Sequence, residues 1–291
     1  MNNIEILTNI DRIDRGLKNM QDIIDQSTRV WAALDFEFDS INRKHIMSLG
    51  QLIITYETDK INHSKIYLFD FRLFSKDQFN LFENLILINK SVVKILHGSE
   101  SLDVPHLRKI MTSEQNFRQF LNQMIDTRYL CAAHHILLNK KGKNFTKCNI
   151  YDAMKNVNVI TDKKYHELSS IKINYHKPWK IKKLSAKQIT YAAGDVAFLF
   201  NLYFAYLNLL GEKLVQAIME SYRYVILVRF GILSENTSKK RTNDMIEELK
   251  KKNGLKDVVA KTDLGNFTLR DLLKIDYLRK HLVRQLYHQI S

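Results

Sequence analysis

The sequence predicts an α/β domain over its first two thirds, followed by a basic helical extension. Three runs rich in strand-forming residues, WAALDFEF, SLGQLIITY and KIYLFDF, are separated by short polar turns, which is typical of an antiparallel meander. After them, segments with apolar residues at helical spacing alternate with a further strand, SVVKILHG. Strands first, followed by alternating strand and helix, indicate an α/β or mixed α+β domain ending near residue 210.

Local signals assign the elements in order. Residues 3–7, NIEIL, form a short expected strand, and Thr8 or Asn9 is a candidate cap for a helix running to about Asp25. Ser75 is a candidate cap for a helix over SKDQFNLFENLILIN. Further helices are expected near 103–111 and 115–124, over the apolar stretch that begins at Leu184, and in the extension near 212–230, 242–252 and 268–289.

Composition narrows the possible partners and the cellular setting. Forty-five basic residues against 31 acidic residues give a net charge of +14, which favours polyanionic partners such as nucleic acid. No uninterrupted apolar run reaches the roughly 20 residues of a membrane span, and the N-terminus lacks the apolar block of a signal peptide. We therefore expect a soluble, intracellular protein with no membrane partner. Its two cysteines, Cys131 and Cys148, are expected to be buried free thiols.

Acidic residues stand at alternate positions in the first strand of the meander. Because a strand sends alternate side chains to one face, Asp35 and Glu37 point the same way, while Asp39 lies near the strand end. Apolar neighbours make carboxylates unfavourable here unless they are paired or hold a cation. Two interpretations remain open for Asp35 and Glu37: a metal site, or an ordinary salt-bridged strand. Asp39 is expected to end the strand or bind a basic neighbour.

Two later segments add acids in similar surroundings. Asp103 follows the turn after SVVKILHG, near the start of a helix, where it is either a capping residue or a functional one. Tyr191 and Asp195 lie four apart, on one side of a helix for which Ser185 and Gln188 form a candidate capping box. Asp195 has alanine, valine and phenylalanine neighbours, so its carboxylate is expected to need a cation.

Taken together and in this order, these segments resemble the motifs of the DEDD exonucleases, specifically the tyrosine-bearing branch that includes ribonuclease D. The D-x-E motif matches Asp35 and Glu37, and SLGQL resembles the strand that usually follows it. The second motif matches Asp103. The spacing from His97 to Asp103 is one residue longer than in ribonuclease D. The third motif matches LSAKQITYAAGDV, with Tyr191 and Asp195, and the segment DTRYL resembles the family's spacer.

The resemblance implies a ribonuclease H-like mixed sheet flanked by helices, with a C-terminal helical extension. It implies an exonuclease domain over residues 1–210 and leaves the role of the basic region 211–291 open. It also implies a 3′–5′ exonuclease that releases nucleoside 5′-monophosphates, with RNA favoured over DNA as substrate. Under this resemblance, two Mg²⁺ or Mn²⁺ ions are bound by four carboxylates, and a tyrosine positions the attacking water; the five residues are Asp35, Glu37, Asp103, Tyr191 and Asp195.

Residues outside the motifs are weaker candidates. Trp179 lies among lysines just before the third motif, so its ring is a candidate for base stacking, or else it anchors this segment. The lysines Lys180, Lys182 and Lys183 are candidate phosphate contacts. The histidines His97, His134 and His135 are expected to be structural. The rival functions are a DNA-directed exonuclease and a catalytically silent nucleic-acid-binding adaptor.

Overall fold

The computed structural model describes residues 4–41, 44–59, 61–137, 148–173 and 178–232. These residues contain a six-stranded mixed sheet with strand order β1-β4-β3-β2-β5-β6. The strands are β1 (Ile4–Ile6), β2 (Arg29–Ile41), β3 (Lys44–Thr58), β4 (Ile61–Phe69), β5 (Val92–Leu96) and β6 (Met124–Asp126). β2, β3 and β4 form the expected antiparallel meander, while β1 pairs parallel to β4 and β5 pairs parallel to β2.

Ten α-helices occur among the described residues. They are α1 (Ile10–Gln26), α2 (Lys76–Phe82), α3 (Asp103–Ile110), α4 (Glu114–Asn122), α5 (Thr127–Leu137), α6 (Ile150–Asn156), α7 (Asp162–Ser169), α8 (Ala186–Ala197), α9 (Leu199–Leu210) and α10 (Glu212–Arg229). α1 packs on β3 and α2, and α8 packs on β2, β3 and β4. The sequence therefore predicted the α/β class correctly, and the two helices expected near 242–252 and 268–289 lie outside the described residues.

Helix caps are present where the sequence predicts them. The Asn9 side chain accepts a hydrogen bond from the Arg12 backbone N–H at 3.0 Å, which begins α1. Ser75 and Gln78 form a capping box at α2, and Ser185 and Gln188 form one at α8. The hydrogen bonds of each cap join residues only three positions apart, so the caps depend little on the rest of the fold.

The structure differs from the expected pattern in several short elements. α2 passes directly into one turn of π-helix over Glu83–Leu87, whereas the sequence predicted one regular helix. Met124–Asp126 is an edge strand of three residues, too short to show a period of two. α6 and α7 lie in a stretch that the sequence analysis left without helices. Phe198 interrupts the last apolar stretch, and α9 begins after it.

A close approach between β3 and β4 fixes the packing around Gly50. Gly50 of β3 pairs with Phe36 on one side and with Phe69 of β4 on the other. A Cβ atom at Gly50 would overlap the Phe69 ring. Phe69 is fully buried and contacts the rings of Phe71 and Phe82 at centroid distances of 4.8 and 5.2 Å. Only glycine fits beneath this aromatic cluster without displacing it.

The described residues form two compact units. The first contains residues up to 125 together with 154–201, and the second contains the described parts of 126–153 and 202 onward. The first unit holds the sheet and α8. In the second, Asp126 accepts hydrogen bonds from the Arg128 backbone N–H at 3.0 Å and from the Tyr222 hydroxyl at 3.3 Å.

The cysteines form a disulfide, so the expectation of free thiols was wrong. Cys131 of α5 and Cys148, just before α6, are bonded to each other. The two positions lie 17 residues apart in sequence, and the fold brings their Cα atoms to 6.1 Å, inside the range that a disulfide spans. This proximity depends on tertiary packing, which cysteine spacing alone does not reveal.

Among the described residues, one helical stretch, Ala186–Leu210, is long and apolar enough to cross a membrane by length and composition alone. Helices from the core of soluble proteins pass the same test. In this chain 44% of the most apolar window is already buried inside the protein, and its first half packs on the sheet.

Candidate active site

The candidate site is built on β2, whose two faces differ in chemistry. Leu34 and Phe36 are buried on one face, and Asp35 and Glu37 alternate with them on the other. The strand register shifts immediately after Glu37, where β3 carries one extra residue, Ser48. A bulge of this kind bends a strand and redirects its side chains.

Helix α8 brings a third carboxylate to this face. Asp195 is 4% exposed, and one oxygen each of Asp35, Glu37 and Asp195 lie within 4.8 Å of one another. The helix approaches through a run of small residues, Ala192, Ala193 and Gly194, all buried. The small side chains allow close packing of the helix on the sheet, and this packing carries Asp195 to the strand carboxylates.

The electrostatics of this cluster favour its proton-bound or cation-bound forms. Burial raises the pKa of Asp35 to about 7, although a hydrogen bond from the Phe36 backbone N–H acts in the opposite direction. Burial, followed by the charges of Asp35 and Asp195, raises the pKa of Glu37 to about 9. Among the residues that the structure describes, no lysine or arginine forms an ion pair with Asp35 or Glu37. The acids are therefore not explained by a salt-bridged strand.

Gln51 is a site residue that the sequence analysis did not identify. It lies directly opposite Asp35 in the β2–β3 pair and is completely buried. Its amide is close enough to Glu37 to lower the pKa of that carboxyl, yet neither amide atom has a partner at full hydrogen-bond geometry in the described structure. Leaving a buried amide unsatisfied is unfavourable, so Gln51 marks a position where a further group is expected. Its only sequence signal was a polar residue inside the apolar run LGQLII.

The other two motif residues occupy the elements that the sequence predicted. Asp103 is the first residue of α3 and is 8% exposed. It does not join the group of three carboxylates that lie within 4.8 Å of one another. However, β5 is parallel to β2, with Ile95 opposite Ala33, so the loop leading to Asp103 leaves the sheet close to the level of Asp35. Tyr191 is half-buried, one helical turn before Asp195 on α8.

Trp179 does not present a surface on which a base can stack. Its side chain is 1% exposed, and its ring lies 6.2 Å from the Tyr191 ring. The Trp179 backbone N–H donates a hydrogen bond to Asp39 at 2.9 Å, which links the end of β2 to the segment before α8. The stacking hypothesis is therefore corrected to the alternative, an anchoring tryptophan. The candidate phosphate contacts Lys180, Lys182 and Lys183 are all exposed.

The ligand chemistry of the cluster fits hard divalent cations. Carboxylate oxygens are the ligands that Mg²⁺ and Mn²⁺ prefer, whereas zinc and copper favour imidazole or thiolate. Asp35, Glu37 and Asp195 supply such oxygens at mutual distances that a shared cation can bridge, and no basic side chain in the described part of the chain is paired to the two strand acids.

A six-stranded mixed sheet flanked by helices is the ribonuclease H-like fold that the sequence predicts. Among solved structures, the chain is similar to Trypanosoma brucei RNase D in its complex with GMP, with a TM-score of 0.54 and 17% identity over 77% of this chain. It is also similar to the same protein in complex with RNA U12, with a TM-score of 0.50 and 17% identity over 76% of this chain and 70% of that one. The resemblance inferred from the motifs is thus confirmed at the level of the fold.

Comparison by sequence finds a viral relative. The chain is 28% identical over 230 residues to a protein of Acanthamoeba polyphaga mimivirus described as "Uncharacterized protein L533". The match covers 72% of this chain but 43% of the mimivirus protein, and the chain spans 63% of the RNase D solved with GMP. No protein-family profile matches the chain.

Proposed function

We propose that the protein is a metal-dependent 3′–5′ exonuclease that hydrolyses RNA from its 3′ end and releases nucleoside 5′-monophosphates. The observation that carries this proposal is the convergence of Asp35, Glu37 and Asp195 on one face of the sheet. These acids come from two elements separated by more than 140 residues, and the family motifs assign the same three positions to metal binding.

The proposed metal ligands are Asp35, Glu37, Asp103 and Asp195. Two divalent ions, when bound, would stabilise charge on the attacking and leaving oxygens of an in-line displacement and lower the pKa of the attacking water. The chain's own contribution is to supply anionic oxygens from rigid elements. Three of the four ligands lie on a central strand and a helix packed against it, so their positions are set by the core.

Tyr191 and Gln51 are the proposed positioning residues. In the family, the tyrosine of the third motif positions the attacking water, and that role falls on the Tyr191 hydroxyl. The ring of Tyr191 packs beside the buried Trp179, which Asp39 anchors, so its orientation is supported from outside the carboxylate cluster. Gln51 would hold Glu37 through one amide atom and a water or substrate group through the other.

The assignment of nucleic acid as the substrate is supported by charge, and the preference for RNA is supported by similarity. The net charge of +14 suits a polyanionic substrate, and Lys180, Lys182 and Lys183 lie exposed just before α8. The RNase D to which the chain is similar has been solved with GMP and with RNA U12. The proposed exonuclease domain covers residues 1–210, and the role of the basic region 211–291 stays open.

The test is a time course on 3′-extended RNA carrying a 5′ label, with matched DNA alongside, in Mg²⁺, in Mn²⁺ and in chelator. We expect a ladder shortened from the 3′ end, 5′-monophosphates as products, and no shortening in chelator. Preferential shortening of DNA would overturn the choice of substrate. Binding without any shortening under all metal conditions would overturn the enzyme proposal and favour the adaptor.

Two variants and one control connect the activity to the site. Asp35→Asn should abolish shortening because it removes a metal ligand, and Tyr191→Phe should reduce the rate while leaving metal binding intact. Asp22→Asn changes an exposed carboxylate on α1 in the same way and should act like the unmutated protein. Full activity in Asp35→Asn would exclude the carboxylate cluster from the reaction.

A further inference from the structure

A second group of metal-binding side chains lies outside the carboxylate cluster. Cys131, His135 and Cys148 each offer one sulfur or nitrogen atom, and these three atoms lie within 4.8 Å of one another. Cys131 is fully buried, Cys148 is 6% exposed, and His135 is half-buried. The structure shows the two sulfurs joined as a disulfide with an imidazole beside them.

Two elements hold this group in place. Cys131 and His135 are four residues apart on α5, so both face the same side of the helix. Cys148 stands immediately before the first turn of α6. There the Asn149 side chain accepts a hydrogen bond from the Tyr151 backbone N–H at 3.0 Å, and the Asn149 carbonyl accepts one from Ala153 at 2.9 Å. The helix start fixes the backbone that presents Cys148 to α5.

We propose that Cys131, His135 and Cys148 bind one Zn²⁺ ion in the reduced protein, at a site separate from the carboxylate cluster. Two thiolates and a neutral imidazole are a donor set that selects zinc, whereas the oxygen ligands of the carboxylate cluster select Mg²⁺ or Mn²⁺. Zinc–sulfur bonds of about 2.3 Å in tetrahedral geometry place two thiolates about 3.8 Å apart. The three donors already lie within 4.8 Å of one another, so a modest opening of the sulfur pair would admit the ion.

Reduction and metal binding together form a balanced exchange. A dithiol or phosphine reductant supplies two electrons and two protons arrive from solvent, which converts the disulfide into two thiols. Zn²⁺ then displaces these two thiol protons and accepts a lone pair from the neutral His135 ring. Three protein ligands leave the fourth tetrahedral position to water. The disulfide and the zinc complex are therefore alternative states of the same two sulfurs.

The test titrates Co²⁺, a spectroscopic substitute for zinc, into full-length protein carrying Asp35→Asn and Glu37→Gln to disable the carboxylate cluster. After treatment with a phosphine reductant, we expect thiolate-to-cobalt charge-transfer absorption that saturates at one ion per chain. Added Zn²⁺ should abolish that absorption. Protein that has not been reduced should give no such band. Absence of the band in reduced, folded protein would overturn the proposal and leave a purely structural disulfide.

Three further variants identify the ligands. Cys131→Ser should remove the charge-transfer band, and far-ultraviolet circular dichroism reports whether this variant folds. His135→Asn keeps both cysteines and should still form the disulfide, but it should weaken zinc affinity at least tenfold. His166→Asn changes an exposed histidine of α7 and is the matched control. Zinc affinity that is unchanged in His135→Asn, or a band that survives in Cys131→Ser, would overturn the assignment.

Discussion

At the residue scale, a substitution at Gln51 tests whether the site binds a water or substrate group in addition to its own side chains. A buried amide with neither atom fully hydrogen-bonded costs about 1–3 kcal/mol, which a bound water or substrate would offset. Gln51→Leu should therefore leave the metal-free protein at least as stable, while kcat for RNA shortening falls at least tenfold with little change in KM. Urea denaturation and steady-state kinetics measure the two effects separately.

Thr55→Val provides the matched control for Gln51. Thr55 is a buried polar residue four positions further along β3, and its hydroxyl is hydrogen-bonded to Ser64 at 3.1 Å. Its replacement should lower stability and leave kcat unchanged. A kcat in Gln51→Leu equal to that of the unmutated protein would show that Gln51 is only part of the core.

Lys94 gives the fold a pH dependence of its own. This lysine is completely buried on β5, and burial lowers its pKa to about 7. Its ammonium donates to the Asn89 and Val92 carbonyls and to Gln123 at 2.8–3.1 Å, with no carboxylate among these partners. Between pH 7 and about 10, the unfolded chain holds a proton on Lys94 that the folded chain has lost. The contribution of Lys94 to the free energy of unfolding therefore increases with pH across this window, and the penalty for burying its charge is fully present below pH 7.

The measurement compares Lys94→Met with the unmutated protein in urea at pH 7, 8 and 9. The free energy of unfolding of the unmutated protein should rise relative to the variant by up to about 1.4 kcal/mol per pH unit. Lys163→Met, at an exposed lysine of α7, should show no such trend. Parallel pH curves for Lys94→Met and the unmutated protein would contradict the lowered pKa.

Residue identities in the site were predictable where a motif names them, and unpredictable where the role depends on a distant neighbour. The motif resemblance selected Asp35, Glu37 and Asp195, whereas spacing and apolar surroundings alone left a salt-bridged strand open for the first two. Asp39 lies near the end of β2 and its charge helps to raise the pKa of Arg72, as expected of a residue with a basic neighbour, but its hydrogen bond from the Trp179 backbone N–H, 140 positions away, was not predictable. Gln51 looked like one polar residue in a strand, because its unsatisfied amide is visible only after β2 and β3 pair.

At the element scale, the predictable features are those with a local physical cause. Strand-forming runs separated by polar turns predicted the meander, and capping residues predicted the starts of α1, α2 and α8. β6 had no such signal, because an edge strand of three residues is stabilised by its neighbour, β5. The π-helical turn had no local sequence signal either. The disulfide also lacks a local sequence signal, since it depends on how the segment just before α6 packs against α5.

Substitution by alanine should affect stability very differently at two glycines, Gly50 in β3 and Gly16 in α1. Gly50→Ala places a methyl group against the Phe69 ring, which is held by other aromatic rings, and should destabilise the protein by about 1–3 kcal/mol. At Gly16 in α1, the added methyl would meet only the flexible tip of Leu7, at 2.8 Å, and the gain in helix propensity opposes the strain. Gly16→Ala should therefore be close to neutral.

Urea denaturation midpoints of the two glycine variants, at constant slope, test this difference. Equal midpoints would show that the sheet adjusts to a side chain at Gly50. Because Gly50 lies one residue from Gln51, a destabilised Gly50→Ala should also bind metal more weakly, and Gly16→Ala should not.

At the scale of the whole molecule, the carboxylate cluster couples metal binding to folding. Three carboxylates within 4.8 Å of one another repel, and the raised pKa values of Asp35 and Glu37 record the unfavourable charged state. Between about pH 4.5 and pH 9, the folded chain holds protons that the unfolded chain has released. In the metal-free protein, the contribution of this cluster to stability should therefore fall as pH rises through this window. A bound cation removes this penalty and adds its own binding free energy.

Glu37→Gln separates these two contributions. In chelator at pH 8, this variant should unfold at a higher temperature than the unmutated protein, because the unmutated chain must take up a proton on Glu37 as it folds; at pH 5 the two should converge. On addition of Mg²⁺ or Mn²⁺, the unmutated protein should gain about 1.4 kcal/mol of stability for each tenfold excess of metal over the dissociation constant, whereas Glu37→Gln should gain much less. Asp22→Asn should match the unmutated protein in every buffer. A metal-induced increase of equal size in Glu37→Gln would show that the cations bind elsewhere, and the exonuclease proposal would lose its structural basis.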